Sequence, residues 1–115
     1  LTLTADDLEA EGAAVIKFKG RLVGLVQVTD EEDGWYLDKL FVDPDFMGNG
    51  LGNRLFYWAL AKARSIGVTE LFIVSDPGAE QFYLRGGCSV VGNVPSSSEA
   101  SRRLTKFKTS TWHEP

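Results

Sequence analysis

One cysteine, one histidine and one methionine are all that 115 residues contain, and each scarcity removes a class of chemistry. Cys88 has no partner for an internal disulfide, so no covalent cross-link is expected to brace the fold. A lone His113 near the end and a lone thiol do not make the clustered ligand set of a zinc site, and no metal is expected. Basic residues never gather into a block of five or six, and the formal charge is -4, which argues against nucleic acid as partner. No apolar run approaches the roughly 20 residues of a membrane span, and no charged-then-apolar leader opens the chain. The expectation is a cytoplasmic protein that binds neither nucleic acid nor membrane.

What is present is a 43% hydrophobic composition, enough at this length for one core, so residues 1–115 are read as a single domain. Thr4 stands three residues ahead of Asp7, a capping pattern that predicts a short helix over 4–10. Two β-branched and apolar runs, Ala13 to Lys19 and Leu22 to Thr29, flank Gly20-Arg21 and predict a hairpin. The polar cluster Asp30 to Gly34 adds a second turn before the strand-like run Trp35 to Val42, completing a three-stranded antiparallel meander. Pro44 stops that strand. Apolar recurrence at Leu51, Leu55, Ala59, Ala63 and Ile66 predicts a helix ended by Gly67. Leu71 to Ser75 suits a buried strand, and strand, helix, strand at this spacing implies a parallel crossover. Asp76 and Pro77 open a second helix through Leu84 that Gly86-Gly87 closes. Cys88 to Val94 and Leu104 to Thr109 form a last strand pair about a serine-rich loop. The fold class is mixed α/β: a meander, a parallel crossover, a closing strand pair and two main helices.

Chemistry is concentrated in Gly48-Asn49-Gly50-Leu51-Gly52, where glycines at a helix start can present backbone N–H groups to a phosphate. A P-loop would need Lys-Ser or Lys-Thr after the last glycine, and Asn53-Arg54 stands there instead. A dinucleotide fingerprint would need glycine in place of Asn53. On the loop alone, a sharp turn and a phosphate cradle are equally good readings. Its surroundings are Leu40-Phe41-Val42-Asp43-Pro44 ahead and Ala79-Glu80-Gln81-Phe82-Tyr83-Leu84-Arg85-Gly86-Gly87 behind. In that order, from about Ala13 to Thr109, the chain resembles the GNAT family of N-acetyltransferases. Met47 departs from the family's usual Gln or Arg, and the strand and two helices that open family members have no counterpart ahead of the hairpin.

The resemblance implies an enzyme that uses acetyl-CoA and acetylates a small-molecule amine by direct attack; the alternative is a coenzyme A-binding module without turnover. It implies that Leu40, Phe41 and Val42 hold the pantetheine arm, with the Val42 N–H facing the thioester oxygen. Met47, Gly48, Asn49, Gly50, Leu51, Gly52 and Asn53 would form the pyrophosphate loop at the positive end of the helix, where Gly50 and Gly52 permit dihedrals and a close approach that larger residues block. Tyr83 matches the family's acid for the departing thiolate, against the reading of an aromatic packed beside Phe82. Strict alternation puts Asp38 on one face with Tyr36, Leu40 and Val42, which makes it either the general base or a hydrated acid. Finally, with no strand ahead of it, the run from Ala13 to Phe18 would present an open edge, and a homodimer burying residues 1–19 is expected.

Overall fold

The computed structural model describes residues 4–8, 12–99 and 101–112. Seven strands, β1 (Thr4–Leu8), β2 (Ala13–Phe18), β3 (Arg21–Glu31), β4 (Gly34–Val42), β5 (Glu70–Ser75), β6 (Ser89–Pro95) and β7 (Arg103–Ser110), form one sheet in the order β1-β2-β3-β4-β5-β7-β6. Every neighbouring pair is antiparallel except β4 with β5. That parallel contact follows from the return through α1 (Leu51–Ser65), since a chain rejoins its neighbour in the same direction only by crossing back over the sheet. A short α2 (Glu80–Arg85) follows β5 through a 3-10 turn at Pro77–Ala79. Asp76 precedes that turn without capping it by a side-chain hydrogen bond.

Helix α1 buries Leu51, Leu55, Phe56, Ala59, Leu60 and Ala63, and the sheet answers with Val23, Val26, Leu37, Leu71, Ile73 and Phe107. Full burial of a leucine or phenylalanine contributes about 1.5–3 kcal/mol, so this face fixes α1 on the sheet and with it the loop at its start. The expected mixed architecture is the one formed, and β7 closes it by inserting between β5 and β6.

Two expectations fail. The segment read as a short helix is a strand: Thr4 pairs with Lys17 and Leu8 with Ala13, while Glu9 and Ala10 lie outside the described residues. A helix this short recovers its nucleation cost only through tertiary packing, whereas the edge of β2 offers the same backbone a ladder of partners. A strand therefore does precede the hairpin. The edge of β2 is not open, Ala13 to Ile16 are buried, and the dimer expected through that edge loses its basis. His113 also lies outside the described residues.

Strict alternation along β4 fails as well. Gln27 pairs with Lys39 and Val28 with Leu37, leaving Asp38 as the extra residue of a β-bulge. Leu37 is in the core and Leu40, three residues on, packs against it, a spacing that only a bulge allows. Asp38 thus does not share a face with Leu40 and Val42 by simple alternation, and it is exposed.

Candidate active site

Parallel pairing between β4 and β5 is made at Tyr36 and Phe72, and past that point clefts open beside the two strands. The Asp43 N–H donates to the Val23 carbonyl at 2.8 Å, which directs the amides of Phe41 and Asp43 towards β3. By the alternation of a strand, those of Leu40 and Val42 point the other way, into the gap towards β5. On the α1 side of the gap lies a cleft of about 430 Å³ lined by Leu40, Val42, the glycine loop, Phe82 and Tyr83. A second cleft of about 310 Å³, lined by Asp38, Phe41, Val74 and Asp76 among others, shares Leu40, Ala79 and Tyr83 with the first.

The loop's shape has two separate causes. Gly48 and Gly50 sit at φ 85° and 76°, in the left-handed region that a side chain disfavours by about 1–2 kcal/mol, and a Cβ at either would meet nothing within 4 Å. Gly52 is different. It lies inside α1, and a Cβ there would stand 3.1 Å from Cε1 of Phe82, so its smallness lets α2 approach α1. The residues present fit a nucleotide diphosphate and its arm: consecutive amides at a helix start, glycines at 48 and 50 with open space beside them, and an apolar cleft of a volume usual for ligand sites.

Tyr83 forms the wall common to both clefts. The residue is 6% exposed, and its ring packs against Phe82 and Phe107 at centroid distances of 5.2 and 5.8 Å. Burial, with smaller contributions from Cys88 and Asp76, pushes its phenol up to about 12, so the hydroxyl is a neutral donor at any working pH. The two readings of Tyr83 are therefore compatible: packing holds the ring, and the residue lines both clefts. Earlier on β4, Tyr36 donates its hydroxyl to Asp33 at 2.8 Å, and Asp38 lines the second cleft.

Ahead of the loop, Asp43 is 8% exposed and accepts the Asp45 N–H at 2.9 Å. That bond, and Arg21 beside it, hold the Asp43 carboxyl below its ordinary range. Arg21 Nη2 donates to Asp43 at 2.6 Å and to Asp45 at 3.1 Å, and both carboxylates raise the guanidinium in turn.

Of the residues expected at the site, Leu40, Val42, Met47, Gly48, Gly50, Leu51, Gly52, Asn53 and Tyr83 line the main cleft together. Phe41 does not. Its side chain is 43% exposed and lines the second cleft instead. Asn49 is not part of the main cleft's lining either, and it donates its side-chain amide to the Phe46 carbonyl at 3.0 Å. Arg85, missed in the sequence, lines the main cleft; its place three residues after Phe82, one helical turn on, is the signal that would have found it.

Residues 2–87 match the acetyltransferase (GNAT) family. A curated relative, an uncharacterised N-acetyltransferase of Methanocaldococcus jannaschii, is 33% identical in an 89-position alignment that covers 69% of this chain and 39% of that protein. The chain thus spans about two fifths of that relative. Among solved structures, a nourseothricin acetyltransferase superposes with a TM-score of 0.76 at 20% identity, over 87% of this chain and 65% of that one. An aminoglycoside 6'-N-acetyltransferase complexed with coenzyme A gives 0.75 at 18% identity, over 90% and 74%. At these identities the two structures speak for the fold.

Proposed function

Because the chain belongs to the acetyltransferase (GNAT) family, we propose that it is an N-acetyltransferase that binds acetyl-CoA in the cleft between β4 and α1 and acetylates a small-molecule amine by direct attack. The thioester supplies an activated acetyl group. The amides of the loop, at the positive end of α1, hold the diphosphate, and Leu40 and Val42 hold the arm through backbone groups turned to the gap. The Val42 N–H is the donor for the oxygen on which charge develops. Asp38, exposed at the second cleft, takes the amine proton directly or through water, and the Tyr83 hydroxyl gives one to the departing sulfur. A lone cysteine supports a cytoplasmic setting for this chemistry.

The observation that carries this reading is the position of Tyr83, a residue with a neutral hydroxyl that lines both the cleft at the glycine loop and the second one. Acetyl-CoA should raise the melting temperature in proportion to the logarithm of its concentration over Kd, and a panel of amines should then release free thiol. No stabilisation by acetyl-CoA would defeat the proposal. Stabilisation without thiol release on any amine would favour the coenzyme A-binding module, a reading supported by the exposure of the acceptor side at Asp38, Phe41 and Val74.

A further inference from the structure

Two carboxylates stand just ahead of the glycine loop in the chain, and one cation pairs with both. Arg21, the first residue of β3, reaches across to bond Asp43 and Asp45 through the same nitrogen, at 2.6 and 3.1 Å. Its guanidinium lies over the ring of Phe46, 5.7 Å from the centroid, and Phe46 is part of the wall of the main cleft. Both acids lie within five residues of Gly48, where a diphosphate would begin to meet backbone amides. A carboxylate so placed repels a polyanion, and at the effective dielectric of about 20 near a protein surface that repulsion extends to about 10 Å. Cancelling one of the two charges and orienting both groups would relieve it.

Resting on the coenzyme site described above, we propose that Arg21 is a positioning residue for coenzyme binding: its charge masks Asp43 and Asp45 at the entrance of the phosphate loop and so sets the affinity for the diphosphate. The competing role is mechanical, a strut that keeps the 3-10 turn Pro44–Phe46 in place. The two roles part on charge. A strut lost cannot be restored by deleting a negative charge; a lost mask is restored by removing what it covered.

The test is calorimetric titration of the whole chain with coenzyme A. Arg21→Gln should weaken binding about fivefold to tenfold at low salt, and the deficit should shrink to about twofold in roughly 0.5 M salt. Arg21→Lys, which keeps the charge, should stay within about threefold of the parent. Adding Asp45→Asn to Arg21→Gln should recover most of the lost affinity. The Asp45 side chain is 74% exposed, so Asp45→Asn alone folds like the parent and should bind about twofold tighter; this variant decides the matter if Arg21→Gln does not fold. A deficit that persists in high salt, or that Asp45→Asn does not repair, would overturn the mask in favour of the strut. So would an Asp45→Asn variant that binds no tighter than the parent. A parent chain that binds no coenzyme A at all would sink the reading of the site itself, and the mask with it.

Discussion

At the scale of single residues, Tyr83 has the most to answer for, because burial and chemistry ask different things of it. Tyr83→Phe keeps the ring and its contacts with Phe82 and Phe107 and removes only the oxygen. If the hydroxyl is the acid, kcat should fall on the order of 10²-fold while the KM for acetyl-CoA stays within about twofold. The loss should be constant from about pH 7 to 9.5, since a phenol held near 12 stays protonated throughout. Unchanged turnover would assign the residue to packing. Stability gives an independent reading. The folded phenol, at about 12, lies above its ordinary value of 10, so between these values the folded chain keeps a proton that the unfolded chain has released. Its stabilising contribution is complete below pH 10 and is lost as pH rises through 12. Denaturation midpoints should therefore fall less steeply across about pH 10 to 11.5 in Tyr83→Phe than in the parent. Burial raises the Cys88 thiol in the same direction, and that group is present in both proteins.

At the scale of elements, the two glycines at the start of α1 separate conformation from contact. Gly50→Ala places a side chain at φ 76° with free space around it, so it should cost about 1 kcal/mol in stability and weaken coenzyme binding by turning the loop amides. Gly52→Ala should gain up to about 1 kcal/mol of helix propensity and lose it again by pressing on Phe82 at 3.1 Å. Its melting temperature should stay near the parent's while kcat falls several-fold, because Phe82 sits against Tyr83. Thermal melts and steady-state kinetics on both variants check the contrast; equal melting losses would show that both glycines serve dihedrals. The dihedral reason attached to Gly52 in the sequence applies to Gly50, and the close approach is what Gly52 serves. Helix α1 itself was legible because its stripe runs for four turns. The bulge at Asp38 was not: it is a property of two strands in register, and the β4 run alone reads as unbroken alternation. Thr4 to Leu8 was misread for a related reason. Its capping pattern is local, and the edge that makes it a strand is supplied by residues 13–17.

Across the whole molecule, the meander, the parallel crossover and the closing pair follow from features the sequence does display: turns at Gly20 and Gly34, a crossover helix, and two strand-like runs about a serine-rich loop. What sequence could not display is which strand lies at each rim. The rims are β1 and β6, and β1 is where fold and association meet. It covers the edge of a strand whose Ala13, Ala14, Val15 and Ile16 are all buried, so the liability once assigned to β2 is latent behind five residues. Removing residues 1–8 should uncover it. The truncated chain loses the ladder from Thr4–Lys17 to Leu8–Ala13 and exposes backbone groups flanked by apolar side chains, an arrangement that recruits a second strand. Sedimentation at micromolar concentration should then show concentration-dependent association in the truncated chain that exceeds any in the full one. Its melting temperature should be lower at high dilution and partly restored as concentration rises, since pairing between copies would replace the lost strand. A truncated chain that melts like the parent and sediments no faster would mean that β1 adds little to the edge it covers, and that burial of Ala13 to Ile16 is secured by β3 and the core alone.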